Sequence, residues 1–455
     1  MNDTIAAIST SLGVGAISII RVSGNDSIKI VNNIFKGKNL NLVDSHTINY
    51  GHIVENEKII DEVLVSVMRK PKTFTTEHVV EINCHGGITT TNKVLELLLM
   101  NGCRLAEPGE FTKRAFLNGR IDLLEAEAIG DLINSKSEKA RIIAINQMQG
   151  KISNMIKNLR KKILEVLANI EVNIDYPEYD DIPVMTNNII LPKIKEIESN
   201  IKEILSNSEN GKIIKDGIKT IIIGRPNVGK SSLLNNLLDE EKAIVTDIAG
   251  TTRDIVEGQI LIDGILLNLI DTAGIRKTDD IVEKIGVEKS YNLIDKANLI
   301  IYMLNNNEEI NIEDIEVLNR IKDKNHIVII NKMDLDNKLN IQNLSSIIDK
   351  DNIIMMCINQ NIGIDKLKEK IKDMFNLEML ETDDYNFLTN ARSISILRET
   401  LILISNIYIG IEKNMPIDMV EIDIKKVWEL LGEIIGETYQ DELINQLFSQ
   451  FCLGK

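Results

Sequence analysis

The 455-residue chain is short of cysteine, of positive charge and of long apolar runs. Its four cysteines, Cys84, Cys103, Cys357 and Cys452, lie far apart and include no Cys-x-x-Cys pair. That spacing suggests neither a zinc site nor a disulfide framework. Acidic residues outnumber basic ones, 68 to 52, for a formal net charge of -16. A chain so charged is a poor broad, sequence-independent binder of nucleic acid. No uninterrupted apolar run reaches about 18 residues, so a membrane span is not expected. The start, Met1-Asn2-Asp3-Thr4, lacks the basic flank and apolar core of a signal peptide, which makes a cytoplasmic address the expectation. Internal repeats and low-complexity tracts are missing too.

What is present is ordinary globular composition, 44% hydrophobic and 26% charged, in a length that suggests about two to four domains. One basic run stands out: Lys151, Lys157, Arg160, Lys161 and Lys162 share a helical stretch. A solvated helix face is the expected reading, with a local nucleic-acid patch as the alternative.

Residues 1–118 read as mixed α/β. Residues 16–22 and 63–67 look like strands, and residues 91–99 like a helix ended by Asn101-Gly102. From about 120 the pattern turns helical. Ile152, Ile156, Leu159, Ile163, Leu167 and Ile170 mark one helical face. Pro177 and Pro183 break it. Ile194, Ile197, Ile201 and Ile204 mark a second helix, and the polar stretch 206–211 reads as a linker. Residues 220–223 form a buried strand, followed by a hairpin (255–262 and 265–270, turning at Asp263-Gly264) and further strands at 299–304 and 327–330. This is a doubly wound α/β domain ending near 377. Helices return after it, with faces at Ile396, Thr400, Leu403 and Ile407, at Val427, Leu431 and Ile434, and at Leu443, Leu447 and Phe451. The helices on either side most simply form one bundle into which the α/β domain is inserted. The expected boundaries are 1–118, 119–216, 217–377 and 378–455.

Gly224-Arg-Pro-Asn-Val-Gly-Lys-Ser231 is a phosphate-binding loop between a predicted strand and a predicted helix. Its glycines let backbone N–H groups wrap phosphates, and the helix N-terminus adds partial positive charge. Lys230 is expected on the β- and γ-phosphates, and Ser231 on Mg²⁺. Three further elements follow in the required order. Gly250-Thr-Thr-Arg-Asp254 offers a threonine for the metal, and Asp271-Thr-Ala-Gly274 closes a strand beside the γ-phosphate. Asn331-Lys-Met-Asp334 ends in a carboxylate suited to guanine's paired N–H donors. Adenine would leave that carboxylate unpaired, which argues against an ATPase.

Ile275 stands where a Ras-like enzyme has its water-orienting glutamine, and an apolar side chain cannot orient water. Arg276 and Glu283 are the candidates to do so. Asn227 offers a neutral oxygen inside the loop, suited to a monovalent cation or simply to capping the loop.

With these motifs the chain resembles the MnmE (TrmE) family of tRNA-modification GTPases over essentially its whole length. The resemblance extends to Ile19-Ile-Arg-Val-Ser-Gly24, His85-Gly-Gly87, Pro108-Gly-Glu-Phe111, Arg114-Ala-Phe-Leu-Asn118, residues 122–129 and 246–254, and the ending Phe451-Cys-Leu-Gly-Lys455. It implies an N-terminal folate-binding-type α/β domain, a helical bundle domain and an inserted P-loop, Ras-like G domain. It also implies a homodimer joined through the N-terminal domains, K⁺-dependent GTP hydrolysis, and a heterotetramer with an FAD-dependent partner, MnmG (GidA). The FAD sits on that partner only. The implied reaction adds an aminomethyl-type (carboxymethylaminomethyl) group to carbon 5 of the tRNA wobble uridine. The carbon comes from a 5-formyl- or methylene-tetrahydrofolate.

The resemblance places GTP against Asn227, Val228, Gly229, Lys230, Ser231 and Ser232. It adds Thr246, Asp247, Ile248, Ala249, Gly250, Thr251 and Thr252, then Asp271, Thr272, Ala273 and Gly274, and finally Asn331, Lys332, Met333 and Asp334. Ser231 and Thr252 are implied for Mg²⁺, and Asn227, Thr246, Ile248 and Thr251 for K⁺. Glu283 is implied to orient the attacking water through another water. Arg21, Glu81, Arg120 and Lys455 are implied for folate. A carboxylate at Glu81 suits the amino-pterin edge, and the arginines suit the glutamate tail. Capped strands and surface ion pairs are the plainer alternatives. Cys452 lies three residues before Lys455, whose ammonium favours a thiolate. It is the candidate nucleophile or proton-transfer group of one-carbon transfer.

The chain departs from the family pattern at Cys84, at Thr76 and His78, in the reduced turn 9–16, and in a guanine loop that reads Cys357-Ile358-Asn359. The competing class is a regulatory GTPase of ribosome assembly, which needs neither the folate-type module nor the Cys-x-Gly-Lys ending.

Overall fold

The computed structural model describes residues 3–175, 187–240, 256–262, 264–270, 293–375, 387–413, 415–438, 441–451 and 454. The chain forms two compact units. One comprises residues 1–130, 148–194 and 399–455, and the other residues 131–147 and 195–398. The second therefore interrupts the first in sequence, as an inserted domain does.

The first unit opens with seven strands: β1 (Ile5–Ile8), β2 (Ile17–Ser23), β3 (Phe35–Gly37), β4 (Thr47–Glu55), β5 (Lys58–Met68), β6 (Val79–His85) and β7 (Arg104–Leu105). They make one sheet in the order β3-β4-β5-β6-β2-β1-β7, antiparallel except for the β1–β7 pair. Alternation decides the two faces. Ile20, Val22, Val63, Val65, Ile82 and Cys84 point to one side and are buried with Val31, Val94 and Leu98 of the helices Ser27–Ile34 and Ile88–Met100. Ile17, Ile48, Tyr50 and Leu64 lie on the other side and stay exposed.

The same unit contains the helix Lys151–Asp175, which packs along Ile417–Ile435. Ile152, Ile156, Leu159, Ile163, Leu167 and Ile170 are all buried, as are Val427, Leu431 and Ile434. The basic run is not uniformly solvated. Arg160 is buried, its guanidinium stacks over the Trp428 ring at 4.1 Å, and it pairs with Glu437. An arginine stem buries well when its planar head has an aromatic face and a carboxylate. Among the described side chains of the helix Asp441–Phe448, Ile444 and Phe448 are buried, and Leu447 and Phe451 flank the cluster. Of the face expected from the spacing of Leu443, Leu447 and Phe451, Leu447 and Phe451 pack against this cluster, and the Leu443 side chain lies outside the described residues.

The second unit carries β8 (Ile218–Gly224), β9 (Val256–Ile262), β10 (Ile265–Ile270), β11 (Leu299–Asn305), β12 (His326–Asn331) and β13 (Ile353–Met355). Their order is β13-β12-β11-β8-β10-β9, all parallel except the β9–β10 hairpin. This is the Ras-like sheet. Burial on both faces explains the unbroken apolar runs of β11 and β12.

The stretch 206–211 is not a linker. The helix Asn187–Asp216 runs straight through it. Ser208 is buried, donating to Ile204 O at 2.5 Å and accepting from Leu388 N–H at 3.1 Å. A Cβ on Gly211 would sit 2.5 Å from Phe387 Cβ. Small residues there allow segment 387–388 to approach closely, which sequence reading mistakes for loop chemistry.

The helix Ala391–Glu412 is the one described helix long and apolar enough, by length and composition, to cross a membrane. Its buried row is Ile394, Leu397, Thr400, Ile404, Ile407 and Ile411. A core-facing helix has the same composition. Of the face expected from sequence, Thr400 and Ile407 are buried, while Ile396 and Leu403 are only partly so. Pro177, Pro183 and Asp263 lie outside the described residues.

Candidate nucleotide and folate sites

β8 is central in its sheet, and the chain leaves its C-terminal end through residues 225–229 into the helix Lys230–Glu240. Two glycines make that turn possible. Gly224 has φ +152°, and a Cβ there would lie 2.4 Å from Met303 O. Gly229 has φ +104°, and a Cβ there would lie 2.4 Å from Asn331 Nδ2. Val228 is buried and anchors the loop in the core. Asn227 is left-handed at φ 60° and exposed. Lys230 Nζ donates to Gly224 O at 2.6 Å and Arg225 O at 2.8 Å, which holds an ammonium over the loop. Ser231 and Ser232 lie exposed in the first helical turn, where backbone N–H groups and the helix dipole favour an anion. Arg225 is committed elsewhere, pairing with Asp314 and, at 3.2 Å, with Glu308.

The loop after β12 locks onto this one. Asn331 is buried; its amide donates to Val228 O at 2.8 Å and accepts from Ile358 N–H at 3.3 Å. Lys332 Nζ reaches Asn227 O at 2.8 Å. Asp334 is exposed and accepts the Cys357 thiol at 3.2 Å. Burial, then the adjacent Asp334 carboxylate, pushes that thiol's pKa up. The structure therefore brings Asn227, Val228, Gly229 and Lys230 together with Asn331 and Lys332, and through Cys357 with Asp334; Met333 N–H meets Met356 O at 3.3 Å. The clamp made by Asn331 and the Cys357–Asp334 contact were not legible as motifs, because the partners of Asn331 lie 103 and 27 residues away in sequence and those of the second contact 23 apart.

In the first unit, Arg21 on β2 stands opposite Glu81 on β6. Its Nε and Nη2 both donate to Glu81 Oε1, at 2.9 and 2.7 Å, and its Nη1 donates to Gly454 O at 3.3 Å. Gly454 is held from the other side by Ser9 Oγ at 3.1 Å. With φ +90° and its Cβ position 2.4 Å from Ile8 O, only glycine fits, which accounts for the glycine of Cys-x-Gly-Lys. Arg21 lies over the Phe111 ring and Arg120 over the Phe74 ring, at 5.7 and 5.1 Å. Phe74 and Phe111 belong to one small apolar cluster. Beside Arg120 opens a cleft of about 560 Å³ lined by Thr73, Phe74, Thr76 and Asn118.

Two of the remaining motifs are architectural. Arg114 is buried among Asp3, Glu77 and Glu110. Burial would raise the Glu110 pKa, but Arg104, the Glu107 N–H and Arg114 hold it down. Gly86 lets β6 approach the early turn, since a Cβ there would lie 2.4 Å from Gly15 O.

The expected residues Thr246, Asp247, Ile248, Ala249, Gly250, Thr251, Thr252, Asp271, Thr272, Ala273, Gly274, Arg276, Glu283, Cys452 and Lys455 lie outside the described residues.

Comparison with known proteins agrees with this geometry. The family described as GTP-binding protein TrmE N-terminus matches residues 4–120, and the MnmE helical domain matches residues 123–452. The tRNA modification GTPase MnmE of Bacillus cytotoxicus is 53% identical over 455 residues, covering 100% of this chain and 99% of that protein. Those of Streptococcus thermophilus and Bacillus licheniformis are also 53% identical, covering 98% and 100% of their own lengths. With a phosphate loop clamped to a guanine loop in a Ras-like sheet, and family resemblance across the full length, the chain belongs to the MnmE family of tRNA modification GTPases.

Proposed function

We propose that this chain hydrolyses GTP to drive modification of the tRNA wobble uridine. With an FAD-dependent MnmG (GidA) partner, it installs an aminomethyl-type (carboxymethylaminomethyl) group at carbon 5 using a tetrahydrofolate one-carbon unit. The observation that carries the GTP half is the Asn331 clamp, which makes the phosphate loop and the guanine loop one rigid site. Lys230 meets the phosphates. Ser231 and Thr252 hold Mg²⁺, which supplies charge neutralisation on the phosphates. Asn227, exposed in the loop, supports the K⁺ assignment, with Thr246, Ile248 and Thr251 completing the shell. Glu283 positions water, and Arg276 is the second candidate.

For folate, the Arg120–Phe74 cleft has a flat aromatic face and adjacent donors, and Arg21, Glu81 and Lys455 are assigned to the same ligand. The exposed apolar sheet face of Ile17, Ile48, Tyr50 and Leu64 supports a homodimer, since a monomer seldom leaves such a face bare. A heterotetramer with the partner, a cytoplasmic address and the domain boundaries 1–118, 119–216, 217–377 and 378–455 complete the reading.

Nucleoside analysis of tRNA from a deletion strain tests it. Bare wobble uridines are expected. Intact modification with ribosomal subunit defects would replace this reading by the assembly-factor one.

A further inference from the structure

β10 is apolar at every position but one. The exception is Asn268, and it is buried. Its Nδ2 donates to Asp216 O at 2.6 Å, beside Gly217, where a Cβ would lie 2.7 Å from that nitrogen. Its Oδ1 accepts from Nε2 of Gln259, its partner across the hairpin, at 2.8 Å. Gln259 Oε1 in turn accepts from Lys136 Nζ at 2.9 Å. The hairpin is thus tied by one polar chain to the base of β8 on one side and to Lys136, 123 residues before Gln259, on the other. Lys136 belongs to segment 131–147, which the chain enters and leaves from the first unit but which is part of the second. Ala140 and Ile143, from its helix Glu138–Met148, share one buried cluster with Ile260, Ile262 and Ile265. The Lys139 stem lies 3.7–3.8 Å from where a Cβ on the turn residue Gly264 would stand. At its other end the hairpin leads into residues 246–254 and 271–274, the stretches assigned to GTP.

We propose that the β9–β10 hairpin couples the nucleotide site to segment 131–147: the Lys136–Gln259–Asn268 chain holds the hairpin in one register, and a change of bound nucleotide shifts that hold and with it the packing of helix Glu138–Met148. This rests on the assignment of residues 246–254 and 271–274 to GTP. The hairpin takes discrete positions, because a one-residue slip would turn Asn268 and every apolar neighbour to the wrong face. Little ladder opposes a change. Among the described residues β9 is the edge strand, and β10 meets β8 at Leu267, Asn268 and Leu269 only. The polar chain selects between positions, since any other register strands its buried amide groups. A shift imposed at the nucleotide end reaches the helix through the Lys136 bond and the shared apolar cluster.

Amide hydrogen exchange of the full chain, read by mass spectrometry with GDP and with a β,γ-imido GTP analogue, tests the coupling. In the wild type the amides of 138–148 should exchange at rates that differ between the two nucleotides by roughly three- to tenfold, the range of one ordinary hydrogen bond. Gln259→Leu, which keeps the size and removes both polar links, should erase that difference while GDP affinity stays at the wild-type value. If that chain does not fold, Lys136→Met decides the matter, because Lys136 is exposed and only its donor is lost. Gln259→Lys sets two ammonium groups together and should also erase the difference. Adding Lys136→Gln exchanges donor for acceptor and should restore it, which general loosening of the fold would not do. Equal exchange of 138–148 in the two states of the wild type overturns the proposal, as does a difference that survives Gln259→Leu or Lys136→Met. If the wild type binds neither nucleotide, the GTP assignment itself fails. If it binds both and 138–148 stays silent, only the coupling fails.

Discussion

Replacing Asn331 by alanine should cripple nucleotide binding without any contact to the nucleotide being required. The side chain is 5% exposed and serves two buried backbone groups, Val228 O at 2.8 Å and Ile358 N–H at 3.3 Å. Leaving a buried polar group unmatched costs about 1–3 kcal/mol. The Ile358 bond is long, so a total of about 2–3 kcal/mol is the reasonable sum. If it falls wholly on the binding-competent geometry, GDP affinity drops roughly 30- to 150-fold, at about 1.4 kcal/mol per factor of ten. Titration with a fluorescent GDP analogue gives the affinity, and thermal unfolding gives the share borne by stability. Gly229→Ala attacks the same clamp from the facing side, because its Cβ would lie 2.4 Å from the Asn331 amide and its φ is +104°. The two substitutions share one contact, so the double variant should lose less than the sum. Unchanged GDP affinity in Asn331→Ala, or strict additivity with Gly229→Ala, would refute the clamp.

If Asn227 ligates K⁺, GTP hydrolysis should run much faster in K⁺ than in Na⁺, and Asn227→Ala should abolish that difference while retaining nucleotide binding; equal wild-type rates in both salts count against it. Cys452→Ser should abolish wobble-uridine modification with GTP turnover near wild type, and normal modification would return the thiol to a structural role. Arg160→Met should lower the melting temperature, because a buried guanidinium stacked at 4.1 Å on Trp428 is lost, by about 1–3 kcal/mol of stability. tRNA affinity should be unchanged, and a selective loss of tRNA binding would revive the basic-patch reading.

Local sequence determined a great deal. The phosphate loop, the Asn-Lys-x-Asp run and the β9–β10 hairpin were readable because each needs particular residues within a few positions: glycine for positive φ, a carboxylate for guanine, a turn between alternating strands. The insertion was readable because apolar periodicity changes from helical to strand-like and back along the chain. The errors arose where residue type is set by a distant neighbour. Ser208 and Gly211 resemble a linker, yet they are small because Phe387 and Leu388 pack against them. Arg160 resembles a solvated charge, yet it is buried because Trp428 of another helix and Glu437 just past that helix's end meet it. The partners of Asn331 and Cys357 are likewise tertiary. A motif can name the residues of a site, but what clamps them to one another depends on which strand ends the sheet topology sets side by side.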